Sequence, residues 1–327
     1  MKFSLIICTY QRPVAIIKLL DTIQQQTLYP NEIIVVDGSL DDKTQNALTL
    51  KNYENVSYFK ASEMDRGLTK QRNFGISKVN SSIDIICFLD DDTIPEPSYF
   101  EALIATYQLK PKALGVGGYI TNEVKWQTSP IQNGFSLDGF YRKESTRFKI
   151  RRFLGLIDDT SPGFMPKYSH GRPVSYLPPS NKIYPVELFM GGISSFRKEV
   201  FNTLQFSTYF EGYGLYEDAD FCLRLSTLGE LYVNTSARIE HYHEASGRPN
   251  KYTYGKMVVR NGWYVWRVKY PKPLLKAKLL FHCNVIVLLK LRFINAITGR
   301  NKKEAFTEAL GRLVGWFSLF FNKPILK

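Results

Sequence analysis

The chain has 327 residues, 44% of them hydrophobic, and a formal net charge of +13; this is enough apolar material for one large α/β domain or two coupled halves, and it excludes disorder as the default. Its four cysteines, Cys8, Cys87, Cys222 and Cys283, form no CxxC pair, which argues against a zinc site and a disulfide framework and suits a reducing compartment. The charge is uneven: residues 251–327 hold 16 Lys/Arg and 2 Asp/Glu while the first 250 residues are nearly neutral, so the tail should face an anionic partner, either phospholipid headgroups or nucleic acid.

The opening run from Met1 to Cys8 has one positive charge and too short an apolar stretch for a signal-peptide core, and it reads as a first strand. Pro13 then starts a helical pattern with Ile16, Ile17, Leu20 and Ile23, and Glu32 to Val36 is the next Ile/Val-rich strand. Val56 to Phe59 gives a third strand, Leu68 to Val79 a helix, Ile83 to Leu89 a fourth strand and Tyr99 to Leu109 another helix. Such alternation means a mostly parallel sheet covered by helices on both faces. Ligands of these sheets collect beyond the carboxyl ends of the strands, which brings Thr9 to Arg12, Asp37 to Ser39 and Asp90 to Asp92 to one crevice.

Residues 121–185 show no clear period and read as a long functional loop or insertion over that crevice. Order resumes near Val186. Glu217 to Leu228 is a helix whose first turn is acidic, as the positive end of a helix dipole favours, and Leu231 to Val233 is a strand running toward His241 and His243. In the tail, Leu279 to Leu289 is interrupted by His282 and Asn284 and stopped by Lys290, too short and polar to span a bilayer. Lys302 to Phe321 places Phe306, Leu310, Leu313, Phe317 and Phe320 on one helical face beside Lys302, Lys303 and Arg312. That pattern fits a helix lying in a membrane interface, or one packed on the domain or on a second copy. The sequence contains no recognisable nucleic-acid module.

The chemistry centres on acids. Asp90, Asp91 and Asp92 end an apolar strand, and three adjacent carboxylates fit either a divalent cation held by hard oxygen ligands or a solvated acidic turn. Asp37, before Gly38 and Ser39, suits hydrogen bonds from a base or ribose, or a plain Asp-Gly turn. Arg72, on the helix after Gly67, supplies a cation for ribose or diphosphate.

Together these stretches resemble the inverting GT-A glycosyltransferases of the family 2 type, which use nucleotide-diphosphate sugars. Cys8-Thr9-Tyr10-Gln11-Arg12-Pro13 is similar to the first nucleotide loop, with Gln11 in place of the usual Asn. Val35-Val36-Asp37-Gly38-Ser39 is similar to Val-Val-Asp-Asp-Gly-Ser with one Asp missing. Gly67 to Gly75, Phe88 to Pro95, Met190 to Ser195 and the Glu217-Asp218 pair complete the resemblance over residues 1–250. It implies a GT-A fold, Rossmann-like, with C-terminal amphipathic helices added. It implies that Thr9, Arg12, Asp37, Arg72, Asp90, Asp91, Gly192 and Glu217 surround the donor, with Asp90 and Asp91 toward the ribose. It implies that Asp92 holds Mg²⁺ or Mn²⁺, with His241 or His243 completing the metal shell or touching phosphate, and that Asp218 is the general base.

The expected organisation is a nucleotide-sugar half at 1–120, an acceptor and catalytic half at 121–250 and a basic helical tail at 251–327. The expected partners are a UDP, dTDP or GDP sugar, a glycan or lipid-linked acceptor and an anionic membrane at the inner face of the cell membrane, with no nucleic acid. The competing class is a non-catalytic membrane-surface or carbohydrate-binding protein that keeps the fold. A haloacid dehalogenase-type phosphatase is disfavoured because its Asp-x-Asp-x-Thr needs the threonine one position later than Thr93.

Overall fold

The computed structural model describes residues 1–132, 134–168, 170–210, 212–243 and 249–326. In chain order the first elements are β1 (Phe3–Thr9), α1 (Pro13–Ile23), β2 (Glu32–Asp37), α2 (Lys43–Thr49), β3 (Val56–Lys60), α3 (Leu68–Lys78), β4 (Ile85–Asp90), β5 (Thr93–Pro95), α4 (Tyr99–Leu109) and β6 (Ala113–Ile120). They are followed by β7 (Phe135–Leu137), β8 (Phe140–Arg142), α5 (Thr146–Phe153), β9 (Ile183–Val186), β10 (Ile193–Arg197), α6 (Glu217–Leu225), β11 (Glu230–His241), α7 (Lys251–Lys269), α8 (Leu275–Thr298) and α9 (Lys302–Phe321). Contacts divide the chain into two units, Met1–Trp126 with Val174–Gly247, and Gln127–Pro173 with Arg248–Lys327. The boundaries therefore run differently from the three consecutive parts expected from the sequence, because 127–173 groups with the C-terminal helices.

The first unit is built on one sheet in the order β3-β2-β1-β4-β10-β6-β11-β5, with β9 on β11. β3, β2, β1 and β4 run parallel, and β10 enters antiparallel between β4 and β6. The alternation of apolar side chains makes this layer two-sided. Phe3, Leu5 and Ile7 join Ile16, Leu19, Leu20 and Ile23 of α1 and Phe100 and Leu103 of α4 in one core. On the other face Gly75 of α3 lies against Ile6 and Val36. The register pairs Thr9 with Asp37 and Cys8 with Asp90, so the three predicted loops do leave the sheet side by side. β11 extends well past Val233, through a register shift after that residue, and ends with His241 opposite Thr93.

In the second unit, the segment that showed no period holds the β7–β8 hairpin and α5. α7 begins with Asn250 as cap, its side chain accepting the Thr253 amide at 2.9 Å. α7 and α9 approach backbone to backbone: a Cβ on Gly311 would run into the Tyr252 carbonyl, so only glycine fits this crossing. The core joins Val259, Trp263 and Trp266 of α7 to Phe281 of α8 and Leu319 of α9.

α8 corrects the expectation of a short broken segment. It runs 24 residues, long and apolar enough by length and composition to cross a membrane. Its polar residues do not interrupt it because they have partners: Asn284 accepts from Arg151 Nε at 2.7 Å and donates to the Leu156 carbonyl at 2.8 Å, and His282 Nδ1 accepts from Trp316 Nε1 at 3.1 Å. α9 covers the predicted span, and Phe306, Leu310, Val314, Phe317, Phe320 and Phe321 are exposed while Ala305, Ala309, Gly311, Gly315 and Leu319 are buried.

Candidate active site

The carboxyl ends of β1, β2 and β4 converge through side chains that satisfy one another. Gln71 of α3 donates to the carbonyls of Thr9 at 3.1 Å and Val36 at 2.9 Å, tying two strand ends together. Asp37 is fully buried, accepting from its own turn at Ser39 N and from Tyr58 Oη, both at 2.8 Å. Asp91 is buried as well and accepts from Thr9 Oγ1 and Arg12 Nη1, each at 2.7 Å. Burial pushes its carboxyl up to about 6 against the pull of Arg12 and Thr9. The side chains of Thr9, Asp37 and Asp91 thus hold the loops they sit on in shape; Asp91 and Asp92 line a cavity with Arg12 and Lys18, and Asp90, on the Arg72 side, is the most exposed of the triplet.

Arg72 is the buried cation of the site. Its guanidinium lies 5.5 Å from the Phe88 ring and 5.3 Å from the Phe206 ring, and it bonds Glu217 and reaches Asp90 at 3.5 Å. Burial opposes its charge, but Glu217 and Asp90 outweigh burial and hold it protonated. Glu217 is pushed up to about 8 by burial, against the attraction of Arg72. Behind the guanidinium, Phe206 stacks on Phe221 with centroids 4.4 Å apart. These charged side chains can pack directly on the backbone because residues 191 and 192 lack side chains: a Cβ on Gly192 would strike the Asp90 carboxylate, and one on Gly191 would strike Glu217 and Arg72.

The three acids opening α6 have separate fates. Glu217 pairs with Arg72, and Asp220 is buried against Arg224 at 2.6 Å. Asp218 is only partly buried and accepts from the backbone amides of Gly191 at 3.1 Å and Ala219 at 2.7 Å. Burial raises its carboxyl above the ordinary range, against those two bonds.

Asp90, Asp92 and His241 bring ligand atoms within 4.8 Å of one another. Two carboxylates and one imidazole suit a hard or borderline divalent ion such as Mg²⁺ or Mn²⁺, and converging like charges are what such an ion relieves. His241 Nε2 lies 3.1 Å from Asp92, and Arg12 Nη1 lies 3.6 Å from it. Burial disfavours the imidazolium, but the bond to Asp92 and the nearby Glu123 carboxylate outweigh it and carry His241 up to about 10. His243 turns away from Asp92 and contacts Glu123 at 2.8 Å. Sequence reasoning missed Glu123, which lies where no period is legible, and missed the aromatic shelf under Arg72, because phenylalanines at 201, 206 and 221 look like ordinary core.

The family model for glycosyl transferase family 2 matches residues 4–169, just over half of the chain. Over 123 residues the chain is 29% identical to a glucosyl-dolichyl phosphate glucuronosyltransferase of Haloferax volcanii, covering 37% of this chain and 38% of that protein. Over 95 residues it is 39% identical to the O-antigen chain rhamnosyltransferase RfbN of Salmonella typhimurium, covering 29% of each. The chain thus spans less than two fifths of the length of either curated relative. Among solved structures, S. aureus TarS 1-349 superposes with TM-score 0.53 at 16% identity over 97% of this chain and 80% of that one. GalNAc-T7 with UDP, GalNAc and Mn²⁺ gives TM-score 0.53 at 16% identity over 87% and 54%. These likenesses agree with the expected GT-A fold, and the family match, covering the β1, β2 and β4 ends that build the site, means that the chain belongs to glycosyl transferase family 2.

Proposed function

We propose that the chain transfers a sugar from a nucleotide-diphosphate sugar of the UDP, dTDP or GDP type to a hydroxyl of a glycan or lipid-linked acceptor, with inversion. What carries this reading is Asp218, a basic carboxylate held by the Gly191 and Ala219 amides beside the Arg72, Glu217 and Asp90 side chains that pack on Gly191 and Gly192. The acceptor oxygen forms its bond to the anomeric carbon as the bond to the diphosphate oxygen breaks. The proton goes to Asp218, and the electron pair leaves with the nucleotide. One in-line displacement inverts the centre.

Asp90, Asp92 and His241 are the residues that would hold Mg²⁺ or Mn²⁺, which when bound neutralises charge on the leaving diphosphate. Arg72 contributes fixed positive charge on the same side, and Thr9, Arg12, Asp37 and Asp91 hold the base and ribose loops in shape. Glu217 keeps Arg72 aimed.

The acceptor side is read from the relatives and the second unit. The glucuronosyltransferase is named for a dolichyl phosphate substrate, and α9 exposes an aromatic face beside exposed Lys302 and Lys303. Both favour a lipid-linked acceptor at the cytoplasmic face of an anionic membrane, with the chain bound peripherally.

Asp218→Asn should lower transfer by roughly a hundredfold to ten-thousandfold while nucleotide affinity stays unchanged. A variant within tenfold of the parent would overturn the base assignment. Because the Asp218 carboxyl is raised, activity should be present above that raised value and disappear as pH falls through it, at a higher pH than an ordinary aspartate gives. A kcat–pH profile checks this. A thermal-shift screen of nucleotide sugars with Mn²⁺ identifies the donor, since a bound ligand stabilises the folded chain by mass action.

A further inference from the structure

We propose that Glu123 is a positioning residue for the cation site: it takes the proton on His241 Nδ1 as a hydrogen bond and so turns Nε2 toward Asp90 and Asp92, with His243 holding Glu123 in place. The proposal rests on the reading that Asp90, Asp92 and His241 hold a divalent ion.

A neutral imidazole has one N–H, so a ring that offers Nε2 to a metal must carry its proton on Nδ1. Among the described residues, His241 Nδ1 is buried and has no hydrogen-bond partner at full bonding geometry. Oε1 of Glu123 lies 3.5 Å away, at the edge of bonding distance. A buried donor of this kind needs an acceptor, and a carboxylate both fixes the tautomer and raises the basicity of the ligating nitrogen.

The surroundings hold both partners still. Asn122, next to Glu123, exchanges two bonds with the His241 backbone: its Nδ2 donates to the His241 carbonyl and its Oδ1 accepts from the His241 amide, both at 3.0 Å. The same Glu123 oxygen is 2.8 Å from His243 Nε2. His243 adopts φ +53°, an uncommon left-handed conformation for a residue with a side chain, and its ring lies over that of His241 with centroids 4.0 Å apart. Among these contacts Glu123 touches the two histidines and no group assigned to the donor, so its effect must pass through His241.

Glu123, His241 and His243 also have ligand atoms within 4.8 Å of one another and would form an ion site of their own if His241 gave Nδ1 to a metal. Then its proton would face Asp92 and the first site would lose a ligand. The two arrangements make opposite predictions.

The test uses the full chain and Mn²⁺ alone, followed by electron paramagnetic resonance of the free ion, with metal-free melting temperature as control. Glu123→Ala should weaken Mn²⁺ binding about 10–100-fold with little change in melting, and Glu123→Gln, which retains an acceptor oxygen, should recover most of the affinity. Histidine nitrogen NMR of the Mg²⁺-bound chain should show the Nδ1–H tautomer of His241 in the parent and lose it in Glu123→Ala. Asp92→Asn tests the underlying reading separately: if it binds Mn²⁺ like the parent, the cation site itself is wrong. If Asp92→Asn loses Mn²⁺ while Glu123→Ala keeps parental affinity, only the positioning role fails. Equal losses in Glu123→Ala and Glu123→Gln, or a Zn²⁺ equivalent abolished by Glu123→Ala and His243→Ala but not by Asp92→Asn, would replace the acceptor role with direct ligation. Should Glu123→Ala fail to fold, Glu123→Met keeps the bulk without the acceptor and is read in the same way.

Discussion

The two units carry opposite imbalances of charge. At the strand ends of the first unit, Asp90, Asp91, Asp92, Glu217 and Asp218 gather around Arg12 and Arg72, so carboxylates outnumber guanidinium groups. In the second unit the buried carboxylates are outnumbered instead: Glu144 lies between Arg152 and Arg172, and Glu308 between Arg292 and Arg312. The histidines report the difference. His241 of the first unit is carried up to about 10 by Asp92 and Glu123, whereas His170 of the second is held down to about 4 by burial and then by Arg151, Arg147 and Arg312. An anionic excess at a ligand crevice asks for a cation, and a cationic excess among helices with exposed aromatics asks for an anionic surface.

The largest test of the first imbalance is Arg72→Ala. It leaves Glu217 buried without its partner beside Asp90, and removing one member of a buried pair costs about 3–5 kcal/mol. Denaturant unfolding should show this loss, and Arg72→Ala combined with Glu217→Ala should recover part of it. A loss below about 1 kcal/mol would mean that Arg72 does not carry the charge balance.

His170 tests the second imbalance. Its folded value, near 4, lies below the unfolded 6.5, so the unfolded chain binds more protons between these values. Stability is therefore complete above about pH 6.5 and falls as the pH is lowered toward 4, by at most about 3 kcal/mol. His170→Gln should flatten that part of the stability–pH curve. An equally steep fall in the variant would assign the slope to other groups.

Much of this contrast could be read from the sequence, and the limits of that reading have physical causes. The parallel strands and the helix at Tyr99–Leu109 were legible because strand and helix periods are strong where one face meets a large core. Asp218 and the Asp90–Asp92 triplet stood out because acids at element ends are locally conspicuous. The partners of Asp91 and Asp37 were not legible, because local sequence cannot reveal that Thr9, Arg12 and Tyr58 reach these acids across 82, 79 and 21 residues of chain. α8 was cut short for the same reason: Asn284 looks like a break until Arg151 and Leu156, distant in sequence, meet its amide. Glu123 had no signal at all, since its meaning depends on a strand that ends 118 residues later at His241.

The smallest expected effect on stability tests what the cationic unit faces. Phe306, Phe317 and Phe320 are each about half exposed on α9, while Leu319, on the opposite side, is 1% exposed. Phe320 stacks on His282 at 5.4 Å, Phe306 meets Phe293 edge-on at 6.1 Å and Phe317 lies 5.1 Å from Trp316, so replacing the three with serine should cost about 1–2 kcal/mol of folding stability. The same change removes apolar area that a bilayer would otherwise cover, at roughly 25 cal/mol per Å², so sedimentation with anionic liposomes should weaken by about tenfold or more. High salt should weaken the parent further, because the exposed lysines act through a screened attraction. If the triple variant unfolds readily, the aromatic face is packed against protein rather than lipid. If it is stable and still sediments like the parent, membrane binding, where present, must come from another surface, and α8 becomes the element to change next.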